Sequence, residues 1–143
     1  MVHIEESLKA PFTSRQMYDL VNDIEAYPEF IPACIDAGIT NRQVNSIDAE
    51  LILQKAGFSY RLKTHNSLFP HQRIELELIS GPFSAFHGIW LFTEIDAYNS
   101  MIILQLDFKL KNNILKFALN KAFRKITREI ISSFHQRAKC LYG

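Results

Sequence analysis

The chain has 143 residues, 48% of them hydrophobic, with 11 Phe, 5 Tyr and 1 Trp: enough apolar material for one packed domain spanning 1–143, and too much for intrinsic disorder. The net charge of +1 conceals a division, because residues 1–107 carry 7 Lys and Arg against 14 Asp and Glu, whereas residues 108–143 carry 9 against 1. No apolar run approaches the roughly 20 residues of a membrane-spanning helix, the start Met-Val-His-Ile-Glu-Glu lacks the basic and apolar regions of a secretory signal, and Cys34 and Cys140 match neither a disulfide framework nor a metal-ligand spacing. Free thiols, cytoplasmic residence and an anionic partner for the C-terminal element are the expectations.

Residues 3–10 alternate loosely around Ile4 and Leu8 and stop at Pro11, as a strand does. Thr13 or Ser14 then caps a helix whose apolar positions, Met17, Tyr18, Leu20, Val21 and Ile24, recur at helical spacing to about Asp23. In Tyr27-Pro28-Glu29-Phe30-Ile31-Pro32 the two prolines predict one short helical turn, opened at Pro28 and stopped near Pro32. From about 35 to 110 the period changes to two, giving six strands at 35–43, 47–56, 58–66, 71–80, 84–95 and 99–110. Their turns fall at Asn45-Ser46, Ala56-Gly57, Leu68-Phe69-Pro70, Gly81-Pro82 and Tyr98-Asn99, and such short connections imply antiparallel neighbours. From Asn112 or Asn113 to about Cys140, Leu115, Leu119, Ala122, Phe123, Ile126, Ile130, Phe134, Ala138 and Leu141 recur every three or four residues, so one long amphipathic helix ends the chain. At about 1.5 Å per residue it is long enough to cross a whole sheet face.

Local motifs sharpen this outline. Leu20-Val21-Asn22-Asp23-Ile24, then Tyr27 to Pro32 with Cys34, then Gly81-Pro82-Phe83 leading to Gly88-Ile89-Trp90-Leu91-Phe92, and the ending Phe134-His135-Gln136-Arg137-Ala138 to Leu141-Tyr142-Gly143 are the distinctive pieces. Together they resemble the coenzyme Q-binding, RatA-like branch of the START-like superfamily, which includes the polyketide cyclase/dehydrase proteins, and the resemblance covers nearly the whole chain. It implies an α+β helix-grip fold: a seven-stranded curved antiparallel sheet wrapped around the long C-terminal helix, with two short helices after the first strand. Similar proteins often carry an aromatic residue where this chain has Ala33, a change that would reshape one end of the cavity.

With that fold, the helical stripe Leu119, Phe123, Ile126 and Ile130, the aromatic strand group Phe83, Phe86 and Trp90, and Tyr27, Phe30 and Ile31 at the mouth become a candidate ligand tunnel. Each of these side chains is equally explained as core, since burying one stabilises by roughly 1.5–3 kcal/mol. The resemblance implies that the tunnel holds ubiquinone or a related polyisoprenoid lipid as bound ligand, without catalysis, in support of respiration or quinone biosynthesis. Lys121, Arg124, Lys125 and Arg128 form a basic helix face with no acid between Asp107 and Glu129, suited to anionic lipid at an inner membrane, where the protein would dock peripherally and transiently, or to ribosomal RNA. The alternative implied by the same resemblance is therefore a ribosome association toxin that binds the large ribosomal subunit and blocks subunit joining. An aromatase or cyclase enzyme survives only by fold analogy. No catalytic or metal residue is expected: His3, His65, His71, His87 and His135 are scattered, and Glu75 and Glu77 read as an outer strand face.

Overall fold

The structure, a computed structural model, describes the backbone of residues 1–55, 57–111 and 116–143, and side chains throughout these except at 116–119. Seven strands form one antiparallel sheet: β1 (Val2–Ala10), β2 (Cys34–Arg42), β3 (Ser46–Lys55), β4 (Phe58–Phe69), β5 (Arg73–Ser80), β6 (Phe83–Glu94) and β7 (Ser100–Leu110). Between β1 and β2 lie α1 (Ser14–Asn22) and a 3₁₀ helix (Ile24–Glu29), and α2 (Lys116–Tyr142) closes the chain. The sheet order β1-β7-β6-β5-β4-β3-β2 is a meander of β2 to β7 with β1 returned to the far edge beside β7. This is the α+β helix-grip arrangement.

Period-two alternation decides which side of the sheet meets the helices. Ile47, Ala49 and Leu53 of β3, Tyr60, Leu62, Thr64 and Asn66 of β4, and Ile102, Leu104 and Phe108 of β7 are buried on the inner face. α2 lays Ala122, Phe123, Ile126, Thr127, Ile131, Phe134 and Ala138 against them. The stripe is broader than Leu115 to Leu141: it takes in Thr127 and Ile131, and it loses Leu141, which is 52% exposed. The last turn of α2 rests on the N-terminal region, with the Phe12 and Tyr142 rings 5.8 Å apart and the Tyr142 hydroxyl donating to the Gln16 carbonyl at 3.1 Å. Leu115, both expected starts of the helix at Asn112 and Asn113, and Ala56 of the expected Ala56-Gly57 turn lie outside the described residues.

Helix α1 starts where sequence placed it. Thr13 accepts from the Gln16 amide at 3.1 Å while Gln16 Oε1 accepts from the Thr13 amide at 2.9 Å, a reciprocal capping box.

Two boundaries differ from expectation. The short second helix begins at Ile24 and not at Pro28, which sits inside it near its end. Pro28 opens nothing because the turn is already started by Ala26 bonding back to Asp23 at 3.2 Å, while Phe30 and Ile31 bond back to Tyr27 at 3.2 and 2.9 Å. The β4–β5 turn is Pro70-His71-Gln72 and not Leu68-Phe69-Pro70. Leu68 and Phe69 remain paired with Ile74 and Arg73, and the reversal is made by His71 at φ 66°, a left-handed conformation that spares the preceding residues.

Candidate functional site

Between the inner sheet face and α2 lies a cavity of about 100 Å³. Its wall combines Tyr27 and Ile24 of the 3₁₀ helix, Ile31, Cys34, strand residues from β3 to β7, and Phe123, Ile126, Thr127 and Ile130 of α2. The lining is apolar and aromatic apart from six groups: the Tyr27 hydroxyl, the Cys34 thiol, the Trp90 indole N–H, and the side chains of Thr64, Asn66 and Thr127. No charged side chain and no histidine is among these lining residues.

The polar groups are largely occupied or held neutral. Tyr27 donates its hydroxyl to the Val21 carbonyl, and burial raises its pKa further above the ordinary tyrosine value. Burial likewise pushes the Cys34 thiol up to about 11, with its Sγ 3.3 Å from the Asp36 carbonyl. Thr127 donates to the Phe123 carbonyl one helical turn back at 2.7 Å. Thr64 donates to Asn66 Oδ1 at 2.6 Å.

Of the ten tunnel candidates, Tyr27, Ile31, Phe86, Trp90, Phe123, Ile126 and Ile130 lie together on the cavity wall. Phe30 does not: its ring packs on Tyr27 at 6.0 Å and Phe134 at 5.4 Å, under the Arg137 guanidinium 5.0 Å from its centroid. Phe83 stands one layer behind the wall, 1% exposed, with ring centroids 4.9, 5.4 and 5.2 Å from Phe86, Phe108 and Phe123. Its sequence parity points it away from Phe86, but a β-bulge between Phe83 and Ala85 turns it onto the same face. The Leu119 side chain lies outside the described residues. Ala33 is buried yet does not reach the wall.

Sequence reasoning missed most of the sheet's contribution, including Leu51, Leu62, Thr64, Asn66, Leu76, Leu104 and Leu106. The available signal was the strand parity itself, with Thr64 and Asn66 as polar residues inside an otherwise apolar row. Gly88 shows how tightly part of that face is filled: a Cβ there would stand 2.8 Å from Leu106 Cδ2 and 3.0 Å from Leu76 Cδ1.

On the outer side of α2, Lys121, Arg124, Lys125 and Arg128 are all exposed. At 100° per residue they share an arc of roughly 100°. Among the described residues none of the four is in an ion pair; Glu129, the acid nearest to them in sequence, is engaged with Lys55 at 2.7 Å. Lys109 and Lys111 are exposed just ahead of the helix. Among the described residues no helix is long and apolar enough to cross a membrane.

Known proteins share this architecture and sequence. The chain is 36% identical over 141 residues to the ribosome association toxin RatA of Pseudomonas aeruginosa, covering 99% of this chain and 98% of that one. It is 32% identical over 143 residues to the ribosome association toxin RatA of Escherichia coli K12, covering 100% and 90%. A crystal structure from Thermus thermophilus superposes with a TM-score of 0.90 over 99% of this chain and 100% of that one, at 14% identity, which establishes likeness of fold alone. Residues 10–135 match the family model for polyketide cyclase / dehydrase and lipid transport proteins, and the chain belongs to that family.

Proposed function

We propose that this protein associates with the ribosome, through the large subunit, by laying the basic outer face of α2 on RNA phosphates, and so hinders subunit joining. The observation that carries the reading is the set of four exposed cations on one arc, unpaired among the described residues. An isolated run of cations on a solvated helix is normally balanced by acids at neighbouring positions. Here the balance is missing over the stretch from Lys109 to Arg128, which leaves a surface suited to a polyanion. The relatives named as ribosome association toxins support the ribosome as the partner.

The test is co-sedimentation with purified ribosomal subunits across a salt series. Four phosphate contacts give a log–log slope near −3.6, so affinity falls about a hundredfold between 50 and 200 mM salt. The variant Lys121→Gln, Arg124→Gln, Lys125→Gln, Arg128→Gln is expected to stay folded and to lose both the association and its salt dependence. Association that survives the four substitutions unchanged sinks the assignment of this face.

A second reading is favoured by the cavity. An apolar, aromatic-walled space without charged groups suits sequestration of a neutral ligand, ubiquinone or another polyisoprenoid lipid being the class suggested by family resemblance. The protonation states oppose general acid–base work there, since the Cys34 and Tyr27 acidities are both weakened by burial and no titratable group near neutrality is on the wall. The reading of a binder without catalysis therefore has support from the chemistry of the lining. The volume accepts about one ring, being of the order of the ~150 Å³ site that admits benzene in an engineered protein core, so an isoprenoid tail requires α2 and the sheet to part. Organic extraction and mass spectrometry of protein purified without detergent from quinone-producing cells distinguishes an occupied cavity from an empty one.

A further inference from the structure

The geometry points to Asn66 as the polar anchor of a site for a neutral, ring-sized ligand that carries a hydrogen-bond-accepting oxygen. This inference rests on the second reading above, that the cavity takes a ligand at all, and narrows the ligand to a chemical class.

Asn66 is on β4, opposite Ile47 of β3 and Leu76 of β5, in a row that elsewhere presents Leu62 and Tyr60 to the interior. Its side chain lies on the cavity wall and the residue is only 5% exposed. An amide brings one acceptor and two donors. The Thr64 hydroxyl donates to that acceptor oxygen at 2.6 Å, no hydrogen bond from Asn66 Nδ2 is present among the described residues, and Nδ2 is not among the sealed, partnerless buried atoms, so it opens on the cavity. Thr64 thus fixes the amide with its N–H groups unspent.

A donor that faces an apolar cavity without a protein partner is costly wherever water is excluded, and native interiors rarely keep one without use. Thr127 Oγ1 keeps acceptor capacity while donating to the Phe123 carbonyl, but it makes no hydrogen bond with Asn66, and Leu76, Leu104 and Leu106 are apolar.

The other requirements on the ligand follow from the same wall. Lining groups without charge select a neutral molecule, because an ion taken from water into this space would have no counter-charge. Phe86, Trp90, Phe108 and Phe123 supply aromatic surface, and a volume of about 100 Å³ sets the size at one ring. The ligand class is a single ring bearing a carbonyl, hydroxyl or similar oxygen, free or as the head of a longer molecule.

The experiment uses 4-fluorophenol and fluorobenzene as probes, which share the ring and differ in the oxygen, with ¹⁹F NMR titration of wild type and of Asn66→Leu. The wild type is expected to bind both, and the ratio of 4-fluorophenol to fluorobenzene affinity is expected to fall about tenfold in Asn66→Leu, the loss of one hydrogen bond from a site built to make it. A readout that needs no variant is the assigned Asn66 side-chain amide resonance of ¹⁵N-labelled wild type, which 4-fluorophenol is expected to shift and fluorobenzene to leave unmoved. Binding of both probes with an unchanged ratio in the variant and an unmoved amide overturns the anchor while the cavity reading stands. Binding of neither probe by wild type overturns the cavity reading and the anchor together.

Discussion

Phe134 and Ile130 are one helical turn apart on α2 and face different environments, so truncating each separates packed core from cavity wall. Phe134 is 1% exposed and meets Tyr27, Phe30 and Trp90 edge-on at 5.3, 5.4 and 5.4 Å between centroids. Phe134→Ala removes a filled volume and three ring contacts, which places its cost near the top of the usual range, about 4–5 kcal/mol. Ile130 is partly buried and already borders empty space. Ile130→Ala removes three carbons, worth about 2.4 kcal/mol at full burial, but their outer side has few packing partners to lose, so about 1 kcal/mol is expected. Urea denaturation followed by far-UV circular dichroism measures both. With a slope of about 2 kcal/mol/M, the midpoints should fall by about 2 M for Phe134→Ala and about 0.5 M for Ile130→Ala. Equal losses would show that Ile130 is packed on all sides in solution, and the cavity wall as drawn would be wrong.

Two further outcomes follow from individual side chains. Cys34 is buried with a raised pKa near 11 while Cys140 is exposed, so a thiol reagent at pH 8 should modify one equivalent quickly and the second only on unfolding. Because the folded Cys34 holds its proton more tightly than the unfolded thiol, this group's contribution to stability is intact below about pH 9 and is lost between pH 9 and 11, a trend that Cys34→Ser should flatten in a series of midpoints against pH. Gly88→Ala should cost about 1–2 kcal/mol, and Leu76 and Leu106 must swing into the cavity to admit the methyl group, so binding of fluorobenzene should drop more than stability does.

The elements were legible because their periods are unmixed. Strand alternation in β3 to β7 and three- and four-residue spacing in α2 each describe one buried face, and the only large errors were at turns whose chemistry is unusual. Pro28 suggested a helix start because proline favours first turns, yet the backbone bonds of Ala26 had already started one. Leu68-Phe69-Pro70 looked like a turn because of its proline, while the true reversal depends on His71 tolerating a positive φ, which no spacing reveals.

The site was half legible. Aromatic residues on α2, β6 and the 3₁₀ helix stood out by type, whereas the β4 and β5 contributions are ordinary leucines made into a wall only by curvature of the sheet. Phe83, expected on the tunnel wall, stands behind it against Phe86, on the inner face because of a feature invisible in the sequence, the bulge between Phe83 and Ala85 that reverses its parity. Asn66 was missed because a polar residue late in a strand reads as the approach to a turn, though its place in the inward row was already set by Leu62 and Thr64.

The pairing of β1 with β7 governs the order in which this chain can become a protein. His3 faces Asp107 across that seam, and every ladder bond of β1 waits for residues about a hundred positions downstream. A chain growing from its N-terminus therefore exposes β1 as an unmatched strand until β7 appears, and only then can α2 cover the inner face. The sequence-local hairpins from β2 to β7 can form without it, and contact order predicts that closing the β1–β7 loop is a late step of folding. Truncation before β7 leaves β6 as a new open edge, β1 without its pairing partner and the apolar face uncovered, the combination from which aggregates grow.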